Sequence, residues 1–269
     1  PSNALALTID TQIAIPSASL MGGLQTNDTT PMLSGSDAEP GATVEIRLDG
    51  TLQTTVTADS SGAWSYTPSS PLSDGDYSYT LKQTDIAGNA SGEPGDAGTV
   101  SFTVDTVPPA LGPVLLDSGS NSASSADLVT NDNTPTFKGT AEPNAQITVF
   151  AGTTTLGTTS ADGSGNWLFT SSTITDAAYS ITAIANDAAG NSSAPSSAIA
   201  VTIDTQVAVP LASLDEESPT NNPTPQLTGS SAEPQATIAI SVDGSEVGTT
   251  LADANGDWSY TFNPALVEG

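Results

Sequence analysis

The sequence contains one pattern three times, and this repetition constrains the fold more than any other feature. Each copy opens with an acidic residue after an apolar one, as IDTQ at 9–12, VDTV at 104–107 and IDTQ at 203–206. Three further markers follow in the same order in every copy. They read TNDTTP, TNDNTP and TNNPTP, then AEPGATVEI, AEPNAQITV and AEPQATIAI, then ADSSGAW, ADGSGNW and ADANGDW. The acidic openers lie 95 and 99 residues apart, which is the length of one small domain.

The repetition predicts four segments of chain. Residues 1–9 are similar to the end of the second copy, PSNALALTID against PSSAIAVTID, and we expect them to be the final strand of a preceding repeat. Residues 10–104 form repeat 1, residues 105–203 repeat 2 and residues 204–269 repeat 3. Because LVEG at 266–269 aligns with LSDG at 72–75, we expect repeat 3 to stop before its last two strands.

Apolar and polar residues alternate within each repeat. The segment TVEIRLDG places Val44, Ile46 and Leu48 on one face and ends at an Asp-Gly turn. No segment has helical periodicity, and turn signals recur about every 8 to 12 residues, which is typical of an antiparallel β-sandwich. We therefore predict an all-β chain with about seven strands in each repeat. In repeat 1 they are expected near 10–20, 31–37, 43–49, 52–58, 63–67, 76–84 and 98–104.

The composition excludes several classes of function. With 3 basic against 30 acidic residues the net charge is -27, which repels nucleic acids and anionic lipid surfaces and favours cations as partners. The chain has no Cys and no His, so thiol nucleophiles, imidazole bases and the common zinc ligands are unavailable. No apolar run is long enough to span a bilayer. We expect no enzymatic activity, no nucleic-acid partner and no insertion into a membrane.

The VDT opener, the TP-x-L-x-G-x-AEP segment, AD-x-x-G-x-W and D-x-AGN together resemble the bacterial immunoglobulin-like repeats of giant, type I-secreted, RTX-associated surface adhesins. The resemblance implies tandem immunoglobulin-like sandwiches arranged head to tail as a rod, with calcium bound at the junctions largely by Asp. It also implies a secreted, monomeric stalk of a cell-surface adhesin, of the kind that acts in biofilms. Its partners would be the neighbouring repeats of the same chain, with a host or surface receptor bound elsewhere in the parent protein.

Strand parity gives a second argument for where the acidic residues lie. In a seven-strand antiparallel sandwich alternate connections fall at the same end, and each repeat runs directly into the next opener. Carboxylates should therefore converge at the junctions, where Ca²⁺ would bind them among its 6 to 8 oxygen ligands. The expected ligands are Asp105, Glu142 and Asp187 with Asp28 at the first junction, Asp204 and Glu233 with Asp132 at the second, and Asp10, Glu39 and Asp85 at the outer end of repeat 1.

Other interpretations of these residues remain open. Asp residues also form turns without metal, and we favour that interpretation for Asp49, Asp74 and Asp243. Asp74 could instead take the place of Asp28 at the first junction, and Asp176 that of Asp132 at the second. The single Trp of each repeat could stack on a sugar, but packing in the core is the commoner role of such a residue. The alternative to a spacer is accordingly a glycan- or receptor-binding module of a secreted protein.

Overall fold

The computed structural model describes residues 8–13, 15–91, 99–122, 127–215, 217 and 220–266. The expected strand at 1–9 therefore lies almost wholly outside the described residues. The prediction of an all-β chain is confirmed, because the described elements are all strands. None of them is a helix that could cross a membrane. The chain forms two compact units, one made of the residues up to Val129 with Asn133–Ile203, and one made of Thr130–Asp132 with the residues from Asp204 onward.

The described part of repeat 1 folds into eight strands in two sheets. One sheet has the order β1-β3-β6 and the other the order β2-β8-β7-β4-β5. The alternation predicted for the third strand is confirmed, since Val44 and Ile46 are fully buried between the sheets. The strands are β1 (Ser19–Leu20), β2 (Gln25–Thr26), β3 (Leu33–Gly35), β4 (Thr43–Leu48), β5 (Thr51–Thr57), β6 (Trp64–Tyr66), β7 (Gly75–Thr84) and β8 (Thr99–Val104).

The single strand expected near 10–20 is wrong, because the chain makes two short strands at this point. After β1 pairs with β3, the backbone turns at Gly22 and Gly23, whose φ angles of 97° and 102° favour glycine. The chain then enters the other sheet as β2, which pairs in parallel with the end of β8. This switch brings the end of β2 beside the residue that opens repeat 2, since Asp105 N–H donates to the carbonyl of Thr26 at 3.0 Å.

The described part of repeat 2 has the same order of strands. Its sheets run β9-β11-β14 and β10-β16-β15-β12-β13. Phe137, Ile147, Val149 and Ile181 are fully buried between the two sheets. The strands are β9 (Leu115–Leu116), β10 (Val129–Thr130), β11 (Thr136–Thr140), β12 (Gln146–Ala151), β13 (Thr154–Ser160), β14 (Asn166–Thr170), β15 (Ala177–Asn186) and β16 (Ile199–Ile203).

Repeat 3 forms a smaller set of strands within its described residues. One sheet has the order β17-β18-β21, and β19 pairs with β20 in a two-stranded sheet. Its buried cluster includes Ile238, Ile240 and Trp258, whose exposed fractions are between 5% and 8%. The strands are β17 (Leu211–Leu214), β18 (Gln226–Ser230), β19 (Thr237–Val242), β20 (Ser245–Leu251) and β21 (Trp258–Thr261).

Candidate metal site and contacts between repeats 1 and 2

Three acidic side chains meet at the outer end of repeat 1. Asp10 lies in the segment before β1, Glu39 in the β3–β4 connection, and Asp85 directly after β7. One carboxylate oxygen from each of these three residues lies within 4.8 Å of the others. Within the described ranges this is the only group of three or more acidic residues that meets this distance. The strand-parity argument named these three residues for one end of repeat 1.

Asp85 is held in place by the loop that follows it. Its Oδ1 accepts a hydrogen bond from Asn89 N–H at 2.7 Å and its Oδ2 accepts one from Asn89 Nδ2 at 2.6 Å, while the residue is only 9% exposed. Burial alone would raise the pKa of the Asp85 carboxyl, but the hydrogen bonds from Asn89, Gly88 and Ala87 outweigh burial, so the pKa lies below its usual value. Asn89 Nδ2 also donates to the carbonyl of Asp10 at 3.0 Å. Asn89 therefore connects two members of the acidic group.

The chemistry of the acidic group fits a hard cation such as Ca²⁺. Its three carboxylates offer only oxygen ligands, and the chain has no His or Cys that would favour a softer metal. Two of the three basic residues of the chain are paired elsewhere, Arg47 with Glu45 and Lys138 with Asp117. Like charges at this spacing repel one another, and a divalent cation with oxygen ligands would offset that repulsion.

The corresponding acidic residues of repeat 2 do not meet in this way. Asp187 accepts from Asn191 N–H and from Asn191 Nδ2, each at 2.8 Å, and Asn191 Nδ2 also donates to the carbonyl of Asp105 at 2.8 Å. The Asp105 carboxylate accepts from Val107 N–H at 2.9 Å. The structure thus brings the backbone of Asp105 to the loop, but the described residues include no group of three carboxylates made with Glu142.

The remaining expected ligands make local hydrogen bonds. Asp28 Oδ1 accepts from the N–H and hydroxyl of Thr30, which closes a turn of the kind that Asp forms without metal. Asp132 N–H donates to Thr130 Oγ1 at 3.0 Å. In repeat 3, Asp204 Oδ1 accepts from Gln206 N–H and Glu233 Oε1 accepts from Ala208 N–H.

Repeats 1 and 2 contact each other through hydrogen bonds. Of these, the sequence indicated only the contact of Asp74, whose reach to this junction was the alternative to the turn that we favoured. Asn27 N–H, in the turn after β2, donates to the carbonyl of Ala189 at 3.0 Å. Asp74 Oδ1 accepts from Thr106 N–H at 3.1 Å and from Thr106 Oγ1 at 2.8 Å, so Asp74 ties the opener of repeat 2 to the β6–β7 connection of repeat 1. Asn27 and Thr106 could have been singled out from the sequence, because Thr-Asn and Asp-Thr recur in the markers of every repeat.

The three Trp residues are core residues in the structure. Trp64, Trp167 and Trp258 are between 3% and 6% exposed. Each indole lies against the backbone of a strand glycine; at Gly139, an added Cβ would lie 2.6 Å from Trp167 Cζ2. Buried indoles cannot stack on a sugar at the surface, so they give no support to a glycan-binding module.

Comparison of the chain with known proteins identifies its family. A family model described as a bacterial Ig-like domain matches residues 12–106 and 110–205. No curated protein matches the chain in sequence.

Solved structures of similar architecture share little sequence with this chain. The fibronectin(III)-like modules of Clostridium thermocellum CbhA are 14% identical, with a TM-score of 0.43 over 69% of this chain and 93% of theirs. The BSP domain of a biofilm-associated protein is 21% identical, with a TM-score of 0.26 over 72% of this chain and 30% of that chain. The central fibronectin-III array of RIM-binding protein is 14% identical, with a TM-score of 0.26 over 94% and 97%. At these scores the three structures carry no argument about function.

Proposed function

This chain belongs to the bacterial Ig-like domain family, and from that premise we propose that it is a spacer segment in the stalk of a bacterial surface adhesin. The observation that supports a spacer is the joint between repeats 1 and 2. Asp105 follows β8 directly, its N–H donates to Thr26 of repeat 1, and its carbonyl accepts from Asn191 of repeat 2. A junction whose first residue is hydrogen-bonded to both repeats resists hinge motion, whereas a flexible linker would permit it.

We also propose that repeat 1 binds calcium at its outer end. Asp10, Glu39 and Asp85 would hold the ion through their carboxylates. Bound there, Ca²⁺ would supply positive charge and link the opening segment of repeat 1 to the β3–β4 connection and to the end of β7. Extracellular modules bind calcium at about 10⁻⁴ to 10⁻³ M, so such a site would fill outside the cell and stay empty at cytosolic calcium levels.

Secretion and surface location follow from the same proposal. An ion that binds only the folded form stabilises it by mass action, so a chain of this kind would be less stable before export and more stable after it. Immunoglobulin-like domains are typically non-catalytic, and we propose no reaction for this chain. Adhesion itself, in biofilms or on a host, is assigned to a receptor-binding part elsewhere in the parent protein.

The calcium proposal is tested by thermal unfolding of the full chain with calcium and with EDTA. The unfolding temperature of the wild type should rise with calcium in the millimolar range, and Glu39→Gln should abolish most of the rise. Glu142→Gln is the matched control, because Glu142 is the corresponding residue of repeat 2 and, among the residues that the structure describes, belongs to no group of three carboxylates. An equal rise in the wild type and in Glu39→Gln would contradict the assignment of the site.

A further inference from the structure

The D-x-A-G-N loop of repeat 2 receives a turn from repeat 1. Asn27 N–H donates to the carbonyl of Ala189 at 3.0 Å. The amide of the same Asn lies over the next residue, with Nδ2 3.6 Å from where a Cβ on Gly190 would be. Gly190 has a φ of 95°, which favours glycine. Asn27 thus rests on a short, tightly turned piece of backbone that presents a carbonyl.

Repeat 1 carries the same loop with the same internal hydrogen bonds. Asp85 N–H donates to the carbonyl of Asn89 at 3.0 Å, and the corresponding distance from Asp187 to Asn191 is 3.1 Å. In both loops the Asn side chain donates to the preceding Asp carboxylate and to the backbone carbonyl of the opener Asp. Gly88 has a φ of 92°, close to that of Gly190. The two loops therefore present their central carbonyl in the same local conformation.

The two loops differ in what covers them. Among the described residues, no heavy atom beyond the immediate chain neighbours lies within 4 Å of a Cβ position built on Gly88. Ala87 is exposed, whereas the corresponding Ala189 is partly buried. Ile86, which directly precedes Ala87 and replaces Ala188 of repeat 2, is 84% exposed.

We propose that the Asp85–Asn89 loop is a docking surface for the Thr-Asn turn of another Ig-like repeat, with the N–H of that Asn donating to the carbonyl of Ala87. The partner is identified by what the structure shows at Ala189, where the donor is the backbone N–H of Asn27 and the turn that follows is closed on Asp28. The inference rests on the proposed spacer function and names the contact that would join the repeats.

The contact is between main-chain groups and uses none of the carboxylate oxygens proposed as calcium ligands, so we expect it to form with or without calcium. This separates the docking surface from the candidate metal site beside it. If calcium did not raise the unfolding temperature, the proposal of the docking contact would be unaffected. Conversely, a failure of docking would leave the calcium-dependent rise in unfolding temperature unchanged.

The test extends the full chain by one repeat. A second copy of residues 10–104 is inserted between Ile9 and Asp10, so that it precedes Asp10 as repeat 1 precedes Asp105, and amide hydrogen exchange is measured by NMR. The added copy supplies its own Asn27 equivalent, and the original Asn27 is the internal reference. We expect the added Asn amide to exchange at least about tenfold slower than an unprotected amide, in calcium and in EDTA alike. Exchange at the unprotected rate while Asn27 stays protected would overturn the proposal, and so would protection that is lost in EDTA alone.

A single cysteine provides a second measurement. The chain has no Cys, so Ala87→Cys can be labelled with a maleimide at one position. Its labelling should be slower in the extended chain than in the present one, because the docked turn covers it. Leu168→Cys is the control, since Leu168 is 61% exposed on β14 and should label equally in both chains. Equal rates for Ala87→Cys in the two chains would overturn the docking surface.

Discussion

The side-chain amide of Asn191 donates to the backbone carbonyl of Asp105 at 2.8 Å, across 86 residues of sequence. Asn89 makes the same bond to Asp10 at 3.0 Å in repeat 1. The recurrent D-x-A-G-N motif is thus explained by hydrogen bonding: its Asp orients the Asn, and the Asn fixes the opening residue of its own repeat. Since Asp105 is also bound to Thr26, the motif of repeat 2 helps to fix the joint with repeat 1.

Replacing this Asn should weaken the joint. Asn191 is 9% exposed, and Asn191→Ala removes the donors to Asp105 and Asp187 at once. We expect the free energy of unfolding to fall by about 1–3 kcal/mol, as measured by urea denaturation. Asn186→Ala is the control, because it removes an exposed bond to Ser192 Oγ. An equal loss of unfolding free energy in the two variants would contradict this role of Asn191.

The glycines under the indoles should not accept a side chain. A Cβ on Gly139 would lie 2.6 Å from Trp167 Cζ2 and 2.8 Å from the carbonyl oxygen of Pro113, so the indole or the backbone must move. Gly139→Ala should therefore destabilise repeat 2 by about 1–3 kcal/mol in thermal or urea unfolding. Gly163→Ala is the matched change, since nothing lies within 4 Å of a Cβ there. Equal stability of both variants would show that the indole is not tightly packed.

Gln235, in the AEP segment of repeat 3, has an unfavourable backbone conformation. Gln235 has a φ of 64°, and the corresponding residues of the other AEP segments are Gly41 and Asn144, with φ angles of 79° and 65°. Left-handed backbone is unfavourable for Gln and free of this penalty for glycine. Gln235→Gly should raise the stability of repeat 3 by about 1 kcal/mol. Urea unfolding monitored at Trp258 measures the stability of repeat 3. In repeat 2, Asn144→Gly should give a smaller gain in stability. A loss of stability in Gln235→Gly would contradict the explanation.

The turn before Trp64 should make the fold sensitive to acid. Hydrogen bonds from the Ser61 side chain and then from the backbone of Ala63 and Ser61 hold the pKa of the Asp59 carboxyl below its ordinary value of 3.8. Because the folded pKa is lower than the unfolded one, the stabilisation is complete above about pH 4 and is lost as the pH falls through the folded pKa.

This acid sensitivity is measured as the unfolding temperature between about pH 6 and pH 2. Asp59→Asn keeps an oxygen acceptor but does not titrate, so its curve should be flatter than that of the wild type below pH 4. Parallel curves for the two proteins would contradict the prediction.

Much of the fold could be predicted because local pattern and repetition agree. The alternation of Val44, Ile46 and Leu48 fixed which face of the third predicted strand is buried, and the Asp-Gly pair marked its turn, where Asp49 has a φ of 48°. The split of the first strand could not be predicted. It depends on pairing with β8, which lies about 80 residues later, and the two glycines that permit it also occur in ordinary loops.

The candidate site was predictable only in part. Counting strand ends places acidic residues at the same end of a repeat, and Asp10, Glu39 and Asp85 do meet. The same count applies equally to Asp105, Glu142 and Asp187, and it cannot show which way a side chain turns. The carboxylate of Asp105 bonds to Val107 N–H, and the side-chain amide of Asn191 donates to the backbone carbonyl of Asp105. Such details depend on rotamers and loop closure.

The central claim is that directly joined repeats form a stiff spacer, and ¹⁵N relaxation of repeats 1 and 2 in the full chain tests it most directly. If the bonds from Asp105 to Thr26 and Asn191 hold the joint, one rotational diffusion tensor should describe the amides of both repeats, with calcium and with EDTA. Separate correlation times for the two repeats in both conditions would contradict the claim.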